Sequence, residues 1–343
     1  MEKALVTGGS GYIAGWVIKT LLEKGVAVHT TVRNLDKKQK YAHLLEMQKE
    51  AKGILHLFEA DLLDEGSFAD AMKGCDTVFH MASPFFIDNI KNAEEQLIKP
   101  AQQGTHNVLQ TVNETPSVRK VILTSSVAAI FGDAKDIEKT SNNVFTEKEW
   151  NETSSVHHQP YSYSKTVAEK EAWKMRKKQD RWDLVVLNPG FVLGPSLTDR
   201  KDSTSISLMI QMGNGTFKMG APELYNGIVD VRDVAHAHVQ AVALPHASGR
   251  HILVREVLAF PEMGHYLKEA FPQYPLPQRT LPKWLVWLFG PLQGISRAFV
   301  SRNVGYPIRF DTQYTKDDLQ MDFRPVKDTL TDHFQQLIDQ KAI

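Results

Sequence analysis

Tyr161 and Lys165 stand four residues apart in Pro160-Tyr161-Ser162-Tyr163-Ser164-Lys165, a spacing that puts a phenol and an ammonium on one face of a helix. Such a pair suits delivery of a proton to the alkoxide that forms when a carbonyl is reduced. A free phenol has a pKa near 10, and bringing it to about 7 needs roughly 4 kcal/mol of phenolate stabilisation, which a neighbouring ammonium helped by an oxidised nicotinamide can supply. Tyr163 has no such partner, because Val167 stands four residues on. Upstream, an apolar run closes on Leu123-Thr124-Ser125-Ser126. A serine hydroxyl at the carboxyl end of a strand could hydrogen-bond a substrate carbonyl and polarise it.

A second group of residues has the chemistry of an anion cradle. Val6-Thr7-Gly8-Gly9-Ser10-Gly11-Tyr12-Ile13-Ala14 joins a short apolar run to an amphipathic one. Gly8 can take backbone angles other residues resist, Gly11 admits a pyrophosphate to the main chain, and Ala14 is small enough for close helix–strand packing. The helix start offers free N–H groups and a positive dipole end to phosphates, so Gly8, Ser10, Gly11, Tyr12 and Ile13 are candidate dinucleotide contacts. The second strand ends Thr30-Thr31-Val32-Arg33-Asn34, without the carboxylate that would hold an adenine-ribose diol. Arg33, with Lys37 behind it, can meet a 2′-phosphate instead, and NADPH/NADP+ is the expected cofactor. Asp61, followed by Leu62, closes the third strand beside the expected adenine position, with helix capping as the competing role for Asp61.

These groups need a scaffold that brings loop ends to one edge. Residues 3–7, 26–33, 54–60, 76–82, 119–125 and 183–188 are rich in Val, Ile, Leu and Phe, as strands buried on both faces are. Residues 11–24, 67–73, 93–113 and 161–178 alternate with them at helical spacing. The pattern predicts an α/β fold with a doubly wound parallel (Rossmann) sheet. The rhythm fails after Pro195, resumes as strand and helix over 226–244, and offers a last strand at 251–254. The expected division is a dinucleotide-binding domain of residues 1–195 plus about 225–256, and a smaller substrate lobe of 196–224 plus about 257–343.

Composition sets the outer bounds. Among 343 residues, 42% are hydrophobic and 23% charged, and 40 basic residues balance 40 acidic ones. The balance removes the field that a general nucleic-acid binder needs. Cys75 is the sole cysteine, so neither an internal disulfide nor a thiolate cluster is expected. His157-His158 and His236-Ala237-His238 do not set two imidazoles on one face, and no metal site is expected. Met1-Glu2-Lys3 leads straight into Ala4-Leu5-Val6 without a signal-peptide pattern, and no apolar run reaches about 18 residues. A cytoplasmic protein without stable membrane insertion is expected. Residues 282–300 mix Trp284, Trp287 and Phe289 with Lys283 and Arg297. A buried helix of the smaller lobe is the simplest account of them, with a lid, a dimer contact or a lipid-touching patch as alternatives.

The ordered set Thr7-Gly8-x-x-Gly11, Val78-Phe79-His80-Met81-Ala82, Thr124-Ser125-Ser126, Tyr161-x-x-x-Lys165 and Asn188-Pro189-Gly190 resembles the extended short-chain dehydrogenase/reductase superfamily. Residues 60–68, Glu169-Lys170-Glu171-Ala172-Trp173 and Asn188-Pro189-Gly190-Phe191-Val192-Leu193-Gly194-Pro195 are similar to plant dihydroflavonol reductases and fungal methylglyoxal or aldehyde reductases. The likeness spans about residues 1–255.

The resemblance implies Ser126, Tyr161 and Lys165 as a catalytic triad, with the second of the two adjacent serines selected. It also implies that Lys165 holds the nicotinamide ribose, that Pro189 and the Val192 backbone flank the nicotinamide, and that Ala82 and Ser83 line the dinucleotide path. Where the plant flavonoid enzymes carry an amide or acid five residues beyond the serine, this chain has Phe131. That departure favours an apolar aldehyde or ketone over a polyhydroxylated flavonoid. Phe85, Phe86, Phe131, Leu193 and Met209 are candidate pocket walls, ordinary core packing being the competing account. The rival functions are a hydroxysteroid dehydrogenase, a nucleotide-sugar epimerase or dehydratase, and a non-catalytic NADP(H) sensor. Oligomeric state is left open.

Overall fold

A computed structural model describes residues 1–83, 92–199 and 203–343. The strands are β1 (Lys3–Val6), β2 (Ala27–Val32), β3 (Leu55–Glu59), β4 (Thr77–His80), β5 (Lys120–Thr124), β6 (Asp183–Pro189), β7 (Phe191–Leu193), β8 (Ala221–Pro222), β9 (Tyr225–Asp230), β10 (Gly249–Leu253), β11 (Glu256–Ala259) and β12 (Thr280–Leu281). The helices are α1 (Tyr12–Glu23), α2 (Ala42–Glu50), α3 (Ala69–Met72), α4 (Lys99–Glu114), α5 (Pro160–Arg176), α6 (Thr204–Gly213), α7 (Val231–Ala243), α8 (Phe260–Ala270), α9 (Lys283–Phe289), α10 (Arg297–Asn303), α11 (Gln313–Asp318) and α12 (Val326–Asp339).

Seven strands form one sheet in the order β10-β6-β5-β4-β1-β2-β3, every neighbouring pair parallel. Successive residues of a strand point to opposite faces, and both faces here are apolar. Ala4, Val6, Phe79, Ile122, Val185 and Leu187 pack under α1 and α7. Leu5, Val78, Val121, Leu123, Leu184 and Val186 pack under α4 and α5. A doubly covered parallel sheet is therefore what the unbroken Val/Ile/Leu runs encode. At about 25 cal/mol per Å2 of apolar surface removed from water, burying each large aliphatic side chain contributes roughly 1.5–3 kcal/mol.

The structure departs from the sequence reading in several places, among them α2 and α6, which the helical spacing did not predict. The helix expected over 93–113 starts with a widened π turn, Glu94–Ile98, before α4. Pro100 lacks the amide hydrogen an α-helix would use there and crowds the carbonyl four residues back, which a wider turn relieves. A small second sheet, β11-β9-β7, was not foreseen. Its strands β7 and β11 have three and four residues, too short for a period of two to stand out.

Two further apolar clusters lie outside the two sheet faces. One joins Leu193, Met209, Ile228, Leu258, Leu267 and Phe334 from β7, α6, β9, β11, α8 and α12. The other gathers Ile130, Ile137, Phe145, Ile252 and Ile308, with Phe131 and Phe310 against it. The segment expected to be a buried helix is overturned: α9 has no buried residue, and Trp284, Trp287 and Phe289 are exposed. No helix among the described residues is long and apolar enough to cross a membrane.

Candidate active site

The carboxyl ends of β1, β4, β5 and β6 converge on one edge. At β1, Gly8 has φ +72°, and a Cβ there would stand 3.0 Å from the Ala82 Cα. A Cβ on Gly9 would collide with the Thr30 hydroxyl at 2.1 Å. Only glycine fits either position. Gly11 donates its N–H to Gly8 O at 2.9 Å and starts α1, which has neither a side-chain cap nor an acid in its first turn. A helix N-terminus left without a negative partner by its own sequence fits an anion from outside. Tyr12 Oη donates to Gly194 O at 2.6 Å and Trp16 Nε1 to Pro195 O at 2.9 Å, which ties this helix to the chain leaving β7. Ile13 is half-buried against the core, and Ser10 is half-buried in the loop.

Thr7 connects the cradle to β4. Its hydroxyl accepts from Met81 N at 3.0 Å and Ala82 N at 2.9 Å, and lies 3.1 Å from His80 Nδ1. Burial, with the nearby Lys165 charge, pushes the His80 imidazole down to about 3 and keeps it neutral. Ala82 and Ser83 are thereby fixed against the glycine loop. At β2, Asn34 Oδ1 accepts from the amides of Asp36 and Lys37. Arg33 and Lys37 are exposed on the loop so shaped, and the Arg33 guanidinium makes no hydrogen bond or ion pair to the described residues. Asp61 is exposed and its Oδ1 accepts from Leu63 N at 2.9 Å, which is a turn-capping contact. Leu62 is held by α4, where Asn107 Nδ2 donates to its carbonyl at 2.8 Å.

Next to the cradle lie the serine, the tyrosine and the lysine. Pro160 opens α5 after Gln159 in the left-handed region, and Tyr161 follows at once. The Tyr161 phenol is hydrogen-bonded to the Ser126 hydroxyl. Ser126 caps the short helix Val127–Ala129 by accepting from Ala128 N at 3.1 Å, and its Oγ lies 3.4 Å from Pro189 O. Lys165 Nζ is 5.9 Å from the Tyr161 ring centroid and donates to Ser83 Oγ at 3.3 Å. Ser125 turns away and donates to Glu169 Oε2 at 2.6 Å.

The electrostatics differ from the acidified phenol expected above. Burial pushes Tyr161 up to about 12, against the opposing hydrogen bond from Ser126. Burial also pulls Lys165 down to about 8, against the Glu169 charge that raises it. The cause is desolvation, which disfavours phenolate and ammonium alike. Tyr161 therefore keeps its phenolic proton at neutral pH.

Glu169 was visible in the sequence only as part of a family-like segment. Its carboxylate is wholly buried and accepts from Ser125 Oγ, Asn188 Nδ2 (2.8 Å), Arg250 Nε (2.6 Å) and Trp173 Nε1 (3.3 Å). Asn188 Nδ2 also donates to Ser126 O at 3.1 Å. Nothing local to 165–175 points to Arg250, which arrives from β10 some eighty residues later. Pro189 and Val192 lie at the head of β6 and in β7. Among the candidate walls, Phe131 stacks on Phe145 at 4.6 Å and meets Phe310 at 5.8 Å. Leu193 and Met209 are wholly buried in the β7–α6–α12 cluster, where they pack as core. Phe85 and Phe86 lie outside the described residues.

A glycine-rich loop opening α1 and a buried Ser126–Tyr161–Lys165 group lie together at the carboxyl edge of one parallel sheet, and the comparisons with known proteins make the chain an NAD(P)-dependent oxidoreductase. Residues 4–254 match the model of the NAD dependent epimerase/dehydratase family. The chain belongs to that family, the extended short-chain dehydrogenases/reductases. It is similar to cinnamoyl-CoA reductase CAD2 of Medicago truncatula, 40% identical over 279 residues, covering 80% of this chain and 82% of the relative. It is 38% identical over 287 residues to an anthocyanidin reductase of Vitis vinifera, covering 80% and 83%. Among solved structures it resembles Gre2 of Candida albicans in complex with NADPH, with a TM-score of 0.80, 27% identity and 99% of each chain covered.

Proposed function

We propose that the protein is an NADPH-dependent carbonyl reductase that converts an apolar aldehyde or ketone to the alcohol. The observation that carries the reading is the hydrogen-bonded Ser126–Tyr161 pair with Lys165 behind it, set beside the glycine cradle. The cradle of Gly8, Ser10, Gly11, Tyr12 and Ile13 would hold the pyrophosphate, and Arg33 and Lys37 the 2′-phosphate. Asp61 and Leu62 would stand at the adenine, Ala82 and Ser83 along the dinucleotide, and Pro189 and Val192 at the nicotinamide. NADPH, when bound, supplies the hydride that reduces the carbonyl carbon.

Ser126 orients the carbonyl through its hydroxyl and polarises the C=O bond. Tyr161 gives its phenolic proton to the oxygen as negative charge builds there. Lys165 holds a positive charge close to the phenolate left behind and so lowers the cost of that transfer. Residues 196–224 and about 257–343 would work as a substrate lobe on a dinucleotide domain of 1–195 and about 225–256. Phe131, on the chain leaving the helix that Ser126 caps, gives the substrate side an aromatic rather than a hydroxyl-binding wall.

The test is NADPH oxidation over a panel of aldehydes and ketones, followed by chiral analysis of the alcohols. Tyr161→Phe should lower turnover by about 100- to 10,000-fold, the usual worth of a positioned acid, while NADPH still binds. Retained turnover in that variant would defeat the assignment. Arg33→Asp should cut the NADPH-to-NADH activity ratio by roughly 10- to 150-fold, the equivalent of one charged hydrogen bond.

A further inference from the structure

Helix α9 and the turn after it turn their apolar side chains outward. Trp284 is 65% and Leu292 83% exposed, and Trp287, Leu288 and Phe289 are exposed between them. Large apolar side chains grouped in this way mark an interaction surface. The surface is firmly mounted, because Val300 and Val304 are buried beneath it. Asn303 Nδ2 donates to the buried Asp133 Oδ1 at 2.7 Å, and Lys283 Nζ spans from α9 to the Ser301 carbonyl at 3.1 Å.

The stretch of chain that builds it is one-sided in charge, with Asp133 from elsewhere in the chain pairing only Arg302 among its basic residues. Residues 270–310 carry Arg279, Lys283, Arg297, Arg302 and Arg309 and no Asp or Glu, in a chain whose total charge is balanced. All five basic residues are exposed. Arg297 lies 4.4 Å over the Trp287 ring, and Lys283 4.4 Å over that of Tyr306, so cations and aromatic rings occupy the same face.

We propose that this face docks on an anionic lipid bilayer surface. The Trp, Phe and Leu side chains would enter the boundary between headgroups and acyl chains, and Lys283 and Arg297 would meet lipid phosphates, Arg302 being paired with Asp133. Indole rings suit that boundary, being apolar in body with one polar N–H. A second copy of the chain fits less well, since a two-fold contact would set this basic face against itself. The proposal is independent of the active-site reading.

The experiment is co-sedimentation of the full chain with phosphatidylcholine vesicles, with and without about 30% phosphatidylglycerol. The bound fraction should be about tenfold larger on the anionic vesicles and should fall severalfold in roughly 0.5 M salt. Trp284→Ser with Leu292→Ser, and separately Lys283→Glu with Arg297→Glu, should abolish binding without moving the thermal midpoint. Brominated lipid should quench the tryptophan emission of the unaltered protein, a reading that survives even if a variant misfolds. Equal sedimentation with and without vesicles would overturn the proposal. So would a dimer in sedimentation velocity that the Trp284→Ser, Leu292→Ser variant dissolves, which would give the face to a second copy.

Discussion

Helix α5 carries Tyr161 and Lys165 and is held at its middle by one buried carboxylate and just ahead of its first turn by another, and the two serve different parts of the molecule. Glu169, one turn past Lys165, binds only the sheet and its own helix through Ser125, Asn188, Arg250 and Trp173. Asp133 lies ahead of Tyr161 and is 2% exposed. It accepts from Gln159 Nε2 at 2.8 Å, lies 2.8 Å from His158 Nε2, and accepts from Asn303 and Arg302 of α10. The first fixes the lysine-bearing stretch to the seven-stranded sheet, and the second couples the tyrosine end to the aromatic C-terminal face. The helix is tied to the sheet beside Lys165 and shared between two regions beside Tyr161.

Glu169→Gln gives the largest expected effect on that contrast. It keeps the shape of the side chain but leaves Arg250, 7% exposed, without its counter-ion. Breaking a buried pair by removing one partner costs about 3–5 kcal/mol, read as a lower urea midpoint. Arg250 retains the carbonyls of Glu147, Glu149 and Ala129 and the Trp150 ring, so a loss at the lower end of that range is expected. No change in midpoint would mean that the carboxylate is not what anchors the lysine end.

Asp133→Ala should cost less, about 1–3 kcal/mol for donors left without an acceptor, and its signature should be spatial. Amide hydrogen exchange should quicken at both 157–163 and 297–303, segments far apart in sequence but joined by this one carboxylate. Quickening confined to one of them would break the comparison, because the two regions would then not be coupled there.

Much of this was readable from the chain. The strands that feed the site were located to within a residue or two, because a doubly buried strand shows itself in composition alone. The glycine loop and the Tyr–Lys spacing were legible because their chemistry is local, within one turn or one helix face. Arg250 and Asn303 were not, since each meets its carboxylate across 81 or 170 residues of chain, and no short-range pattern records such a meeting. The exposed α9 was misread for a related reason. A six-residue run of Trp, Leu, Val and Phe signals only that the helix is apolar, and which surface covers it is set by tertiary packing. The burial of the Tyr161 phenol was not legible, because desolvation depends on everything that packs around the ring.

The smallest effect is a displacement of the pH profile, and it separates the two carboxylates most cleanly. Lys165 is held at about 8, so its cation is present below that pH and lost above it. Tyr161, at about 12, stays protonated throughout the working range. Reduction should therefore be flat at neutral pH and fall as pH rises through about 8, because the phenolate left after proton transfer loses its neighbouring charge. Glu169 raises the Lys165 pKa, so Glu169→Gln should shift this alkaline limb to lower pH. Asp133→Ala should leave the limb in place and change only the height of the profile. The measurement is kcat against pH for the three proteins at saturating cofactor. If the limb moves equally in both variants, the shift reports general loosening of α5, and the distinct electrostatic role of Glu169 is lost.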